Sequence, residues 1–513
     1  LIAIDGPAAV ALYDTNRAQE AQTALSNHGS EQTAFPPPPD PDLHLPFFLG
    51  RSEVLPTKPP RKVPSFVWTN TRKTDALLET PLHTVHRDQC NARMVPFAGW
   101  DMPVYYKSGI EKEHAAVRQT AGLFDVGHMG IFAVEGNQAS EFLDLVTTAN
   151  ASRLAVGRSA YTYLLDATGH TLDDLIIYRL AATQYLAVVN ASNADKDWSW
   201  LTGVNEQRHE IERDDPWAAS PVKAVLRDLK QEAEGDRRRI DLALQGPKAR
   251  NVLQRLSVDP DTSQNIQRMR PFDVRSVTLA NIDLELAYTG YTGEKIGYEL
   301  FVHPEAAVDL WNNILQAGDD IGVMPAGLAA RDSTRTEAGL PLYGHELGGS
   351  LDLSPGDAGF GSFIKMYKTF FVGRSGLIER ERSRTSQIVR FAITDAHTPM
   401  ARQGDPVVDT RGSWVGSVTS AARDLDQQQV GMAHITRQSS AEGSNLYIYA
   451  GASARRATEP IAPQDLCVGT RSPLPISATV ISRFPTKPPS DLRTQSKTSI
   501  DLERGESVKV TAV

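Results

Sequence analysis

Apolar positions recur along this chain with two different periods, and the two periods occupy different stretches. From residue 108 the spacing is helical. Ser108-x-x-Glu111 reads as a capping box, the helix continues through Glu113, His114 and Val117, and Gly122 marks its stop. Phe142, Leu143 and Val146 predict a second helix over 138–147. Pro304 at the start, Val308, Trp311 and Leu315 on one face and Gly318 beyond the end predict a third over 304–317. Between these helices the period drops to two. Strands are expected at 160–165, 172–180 and 185–190, joined by turns at Ala167-Thr168-Gly169 and Ala181-Ala182-Thr183-Gln184, with further strands at 282–288 and 298–302. From 386 to 450 the pattern is all-β, with strands at 388–393, 406–409, 413–419 and 446–449.

The ends carry neither period. Residues 1–77 contain Pro36-Pro37-Pro38-Pro39 and then Pro41, Pro46, Pro56, Pro59, Pro60 and Pro64. Such a stretch favours extended, solvated backbone and is expected to be disordered, as is a polar tail over 485–513.

Composition narrows the function class. The chain has 513 residues and a net charge of -9, an acidic balance that argues against a dedicated nucleic-acid binder. No apolar run approaches the ~18 residues of a membrane helix, so no membrane association is expected. Two cysteines, Cys90 and Cys467, exclude a disulfide framework and a cysteine-based zinc site. The Asp, Glu and His residues show no ligand-spaced cluster, so no metal is expected.

Three groups of residues carry candidate chemistry. Asp173-Asp174 open the return strand of the meander. Strand side chains alternate, so at most one carboxylate faces a given pocket, where it would accept a proton or steady a cation; the alternative is a pair of solvated turn residues. Gly290-Tyr291-Thr292-Gly293-Glu294 is followed by Gly297-Tyr298-Glu299. The glycines permit close approach of a flat ligand, Tyr291 and Tyr298 offer stacking faces, and Glu299 offers an acceptor; the alternative is an ordinary hairpin. Read as a helix, 327–337 puts Arg331 and Arg335 on one face, to hold a carboxylate, pair with a buried Asp, or form a solvated stripe. Leu340-Pro341-Leu342-Tyr343-Gly344-His345-Glu346 reads as a loop closing over a site.

The order of these groups carries more than any one of them. Pro96-Phe97-Ala98-Gly99-Trp100-Asp101-Met102-Pro103-Val104-Tyr105-Tyr106 is followed by Gly122-Leu123-Phe124-Asp125-Val126-Gly127-His128-Met129-Gly130. Then come Leu172-Asp173-Asp174-Leu175, Leu244-Gln245-Gly246-Pro247, Thr289-Gly290-Tyr291-Thr292-Gly293-Glu294, and Ala330-Arg331-Asp332 with Glu337-Ala338-Gly339. This series resembles the aminomethyltransferase family, the T-proteins of the glycine cleavage system, over roughly 78–440. The resemblance implies an α+β folate-binding fold of three modules. Two mixed α+β modules would occupy 78–384 and a β-barrel-like domain 385–484. It implies transfer of a methylene group from an aminomethyl-lipoyl H-protein to tetrahydrofolate, the co-substrate, with no metal. Related chains act instead as folate-dependent demethylases or as non-catalytic folate binders.

Carried onto this sequence, the family's key carboxylate falls on Asp174. Glu299 falls where the family holds the pterin ring, Tyr161 and Tyr291 where it contacts pterin or aminobenzoyl, Arg331 beside the folate, and Asn190 and Asn193 at the strand end near the ligand. A buried Asp facing Arg331 is expected to stay ionised. Lys295-Ile296-Gly297-Tyr298 makes the approach to Glu299 one residue longer than the family spacing, and a bulge at Gly297 is the expected way to absorb it. A cytoplasmic enzyme is expected, or one of the mitochondrial matrix in a eukaryote.

Overall fold

A computed structural model describes residues 62–69, 76–451 apart from Pro216 and Ala396, and 475–485. Most of the expected disordered extension, the polar tail and Cys467 lie outside those residues. Within the proline-rich stretch, however, 62–69 is packed. The Phe66 ring lies 5.1 Å from Trp200 and 4.9 Å from His209, and the Pro64 carbonyl accepts the Glu210 N–H at 3.0 Å. One aromatic in a polar stretch suffices to pin it once an apolar seat exists.

Two sheets and a barrel make up the α+β fold. In the first sheet, five antiparallel strands run in the order Arg158–Leu165, Thr171–Ala181, Gln184–Val189, Gly130–Glu135, Val225–Asp228. The second has the order Val274–Leu279, Ile282–Ala287, Gly297–Val302, Ile240–Gln245, Gly122–Asp125, with the short parallel strand Met324–Pro325 at its edge. The chain therefore leaves the second sheet at Asp125 and enters the first at Gly130. The motif around Gly127 and His128 is the crossing point.

The sheets face each other through Ile131, Ala133, Tyr178, Leu186, Val188, Val274, Ala287 and Phe301. Their outer faces are covered by helices. Ala139–Val146 and Ala194–Asn205 pack on the first, with Phe142, Trp200 and Leu201 fully buried. Ala249–Arg255, Pro260–Arg268 and Ala307–Gly318 pack on the second, with Trp311 and Ile314 buried. Six strands between Ser386 and Ile481 close into a barrel around Phe391, Val407, Val418 and Ile448.

The helix expected after Ser108 begins one residue later than the capping box requires. It spans Ile110–Gln119 with Gly109 at its N-cap, at φ 85°, and no side chain caps it. Ser108 thus lies outside the cap position. The helix faces Leu328–Glu337 through a buried ionic group. Arg118 donates to Glu337 at 2.7 Å, to Glu294 at 3.0 Å and to the Thr334 carbonyl at 2.9 Å. His114 reaches Glu337 at 2.9 Å. Burial opposes ionisation of Glu337, but the His114 hydrogen bond and the Arg118 charge hold its carboxyl down at about 2.

Truncating Arg118 takes a buried positive charge away from two carboxylates in an enclosed space. Arg118→Met is expected to destabilise the chain by about 3–5 kcal/mol. Urea or guanidinium unfolding of the variant beside the parent checks this; a loss within ~0.5 kcal/mol would show that the group is solvated.

Candidate active site

Alternation along Thr171–Ala181 decides what each side chain of this strand touches. Leu175 and Ile177 point to the helix-covered core, and Tyr178 points between the sheets. Asp173 shares the face of Leu175, and Asp174 shares the face of Tyr178. Neither carboxylate is a solvated turn residue: Asp173 is 0% exposed and Asp174 8%.

Asp174 accepts the Tyr161 hydroxyl at 2.8 Å and the Asn190 side-chain amide at 3.1 Å. Burial, reinforced by the charge of Asp173, raises its carboxyl to about 7. The expectation of a fully ionised Asp beside Arg331 is thereby corrected: the arginine's charge is outweighed by burial and a neighbouring carboxylate, so Asp174 exchanges its proton near neutrality.

Asn190 and Asn193 turn to the other carboxylate. Asn190 gives its backbone N–H and its amide to Asp173, both at 2.9 Å, and Asn193 gives its amide at 2.5 Å. The Asn193 carbonyl accepts from Lys196. Asn190 alone of the pair also reaches Asp174.

The opposite wall comes from the second sheet. Glu299, Arg331, Gln245, Tyr291, Thr292, Phe124, Val126 and Ala243 line a cavity. Glu299 accepts the Tyr178 hydroxyl at 2.6 Å and the Thr289 hydroxyl, which ties the two sheets together through its carboxylate. The expected bulge at Gly297 does not form. Pairing with Ile240–Gln245 runs unbroken from Gly297–Gln245 to Val302–Ile240. The extra residue is taken up in the loop before the strand, where Gly293 has φ 82°.

Gln245 fixes that loop. Its amide donates to the carbonyls of Thr289 and Tyr298 and accepts the Thr292 hydroxyl. A Cβ at Gly290 would lie 1.9 Å from the Gln245 carbonyl oxygen, and one at Gly297 2.4 Å from it, so both glycines are there to admit this amide.

Tyr298 is corrected. Its ring is fully buried on the outer face of the sheet, stacked 4.8 Å from Tyr288 and bonded to Arg250, so it offers no face to the cavity. Strand alternation forces this once Glu299 points inward. Tyr291 does line the cavity, and its hydroxyl donates to the Pro341 carbonyl.

The two arginines of Leu328–Glu337 part company. Arg335 is buried against Glu346 at 2.7 Å, Asp332 at 2.6 Å and the barrel hydroxyl Ser420 at 2.7 Å. It anchors the 340–346 loop to the barrel. Arg331 lines the cavity, where the opposite charges that act on it most are Glu299 and Asp241. His128 beside it is pushed down to about 3, by burial first and by Arg331 next, and so stays neutral.

The free space in this cavity is about 20 Å³, far below the ~300–1,000 Å³ of ligand pockets, so a bicyclic ring enters only if side chains part. A larger recess of about 870 Å³, lined by Arg158, Arg268, Arg270 and Arg275, holds none of these carboxylates or tyrosines. Among the described residues, no group of three or more His, Cys, Asp or Glu is arranged to hold a metal, and no helix is long and apolar enough to cross a membrane.

Sequence reasoning missed Tyr178, Gln245, Lys196 and Asp197. Tyr178 was within reach of the same alternation that selects Asp174, four residues on. Lys196 and Asp197 lie on a helix that the periodicity did not reveal.

Comparison with known proteins identifies the family. Residues 82–368 match the family described as the GCVT N-terminal domain. The aminomethyltransferase of Symbiobacterium thermophilum is 40% identical over 381 residues, which cover 73% of this chain and 93% of that one. That of Halothermothrix orenii is 36% identical over 372 residues, 72% and 95% of the two chains. The crystal structure of glycine cleavage system aminomethyltransferase T from Bartonella henselae superposes with a TM-score of 0.64 at 29% identity, covering 79% of this chain and 97% of that one. The protein is thus an enzyme, a group transferase. It belongs to the aminomethyltransferase family, the T-proteins of the glycine cleavage system.

Because the folded-state value of Asp174 lies above its unfolded value, the carboxyl is an undisturbed neutral acid below about pH 4 and a strained anion once the pH passes about 7. Asp174→Asn removes that strain only at high pH. The Tm of the variant minus that of the parent is expected to be more positive at pH 8 than at pH 4; equal differences at both would place the carboxyl in solvent contact.

Proposed function

We propose that this chain takes the methylene of an aminomethyl group carried on the lipoyl arm of an H-protein and passes it to tetrahydrofolate. The products are 5,10-methylenetetrahydrofolate, ammonia and the reduced lipoyl arm. The observation that carries this reading is Asp174, a buried carboxyl with a value near 7, held by Tyr161 and Asn190 within reach of Tyr291 and Arg331, which line a cavity together with Glu299.

The donor set suits the co-substrate. Glu299, an acceptor fixed by two hydroxyls, matches the N–H groups of a reduced pterin. Tyr161 and Tyr291 offer ring faces or edges for the pterin and aminobenzoyl groups. Arg331 complements negative charge on the ligand. Asp174 orients the reacting ring nitrogen and takes up its proton as the new carbon–nitrogen bond forms. A base poised near the working pH is the efficient choice for that step. Asn190 holds Asp174 in line, and Asn193 supports it through Asp173.

The catalytic region is taken as 78–384, with the barrel at 385–484, and the enzyme as cytoplasmic, in keeping with the bacterial sources of the relatives named above. No metal, membrane or nucleic acid enters this scheme.

Asp174→Asn is expected to keep folate binding and to slow transfer by about 10²–10⁴-fold, measured as methylenetetrahydrofolate formed from aminomethylated H-protein. A turnover equal to the parent's removes Asp174 from the chemistry, and formation of 5-methyltetrahydrofolate from methylated amines would replace the reaction with a demethylation. Glu299→Ala leaves the Tyr178 and Thr289 hydroxyls and the ligand N–H groups without an acceptor. Folate affinity is expected to fall about 10–100-fold, the equivalent of ~1–3 kcal/mol; titration by fluorescence or calorimetry checks it, and unchanged binding takes Glu299 out of the folate site.

A further inference from the structure

Behind Asp174, on the helix-covered face of the same strand, two acidic side chains meet. Asp173 and Asp197 are both 0% exposed, and the charge of Asp173 acts on Asp197. Two carboxyl groups enclosed within reach of each other's charge do not both ionise. The donors are unevenly shared. Asp173 accepts three N–H groups, two from Asn190 and one from Asn193. Neither Asp197 oxygen has a hydrogen-bond partner among the described residues. The anion belongs where the donors are, on Asp173, and the proton therefore resides on Asp197.

Other charged or titratable groups face this pair. Lys196, next to Asp197 on the helix, donates to the Leu172 carbonyl at 2.6 Å, to Asn193 at 3.0 Å and to the Tyr343 hydroxyl at 3.0 Å. Tyr343 comes from the loop that Glu346 and Arg335 pin to the barrel, and its hydroxyl also reaches the Thr171 carbonyl at 3.3 Å. Across the strand, Asp174 faces Tyr161, Tyr163, Tyr291 and Arg331. Of all these, Asp173 is the anion joined most directly to Asp174. The two share the Asn190 amide, which lies 2.9 Å from one carboxylate and 3.1 Å from the other.

We propose that Asp173 and Asp197 are positioning residues, a carboxyl pair that keeps one proton and one negative charge beneath the site, and that this single charge makes Asp174 hold its own proton more tightly. Two charges in the pair would drive Asp174 toward permanent protonation, and none would leave it a weak base that is always ionised. One charge sets the balance. The inference rests on the reading of Asp174 as the base.

The test is a pair of pH–rate profiles and one spectrum, all on the full chain. In kcat/KM for methylene transfer, the parent is expected to show an inflection near pH 7, contributed by Asp174. Asp173→Asn removes the charge and keeps the shape, so the inflection is expected to move down by about one pH unit or more. Asp197→Asn substitutes a neutral amide for a neutral carboxyl, so the inflection stays within a few tenths of a unit; Asp197→Ser serves if the amide variant does not fold. An unmoved inflection in Asp173→Asn, or an equally large shift in Asp197→Asn, overturns the proposal. Independently of activity, the infrared difference between parent and Asp197→Asn at pH 9 is expected to contain the C=O stretch of a protonated carboxyl. Its absence also overturns the proposal. If Asp174→Asn retains full turnover while that band difference is present, the base assignment has failed and the proton-sharing pair has not.

Discussion

A β-strand presents alternate side chains to opposite sides, and the Thr171–Ala181 strand is occupied on both. One side gives Asp174 and Tyr178 to the space between the sheets; the other gives Asp173, Leu175 and Ile177 to the core under the helices. Every feature of the centre follows from that division. Asp174 meets Tyr161, Tyr178 meets Glu299 across the sheet interface, and Asp173 is left to be satisfied by the helix side. A register slip of one residue would exchange the two carboxylates and present Leu175 to the cavity.

Satisfying Asp173 is what brings the surrounding polar residues into one network. A carboxylate in an apolar layer must find donors or take a proton. Here Asn190 and Asn193 supply the donors at the end of the adjoining strand and the start of the next helix, and Lys196 fixes Asn193 in turn. The second sheet uses the same economy. Gln245 satisfies two carbonyls and a hydroxyl of the 289–298 segment, and that segment delivers both Tyr291 and Glu299. Side chains that never face the cavity therefore decide how rigid its walls are.

Much of this was written in the amino-acid order. Alternation assigns Asp174 and Asp173 to opposite faces before any coordinates are consulted, and the motif series identifies the family. The meander strands at 160–190 stand within two residues of their expected ends, because turns with Gly or polar residues separate strongly apolar runs. Three things were not legible. Ala194–Asn205 was missed because its sequence, Ala-Asp-Lys-Asp-Trp-Ser-Trp, buries an acid along with its tryptophan and so shows no clean apolar stripe. Tyr298 was assigned to the ligand because stacking potential is a property of the residue, whereas its direction is a property of the register. The proton affinity of Asp174 depends on burial and on a second carboxylate, both of which are three-dimensional quantities.

The crossing at Asp125–Gly130 has a consequence for synthesis. Gly122–Asp125 pairs on one side with Ile240–Gln245 and on the other with Met324–Pro325, while the very next strand belongs to the other sheet. On the ribosome, this strand must wait on the order of a hundred residues for its first partner. At ~5–20 residues per second that is roughly ten seconds with both edges open. The first sheet is complete in sequence by Asp228, but its neighbour is not. The two modules are therefore not separable pieces that fold in turn, and the nascent chain carries an unpaired edge for much of its time in emergence, the circumstance in which chaperones are most needed.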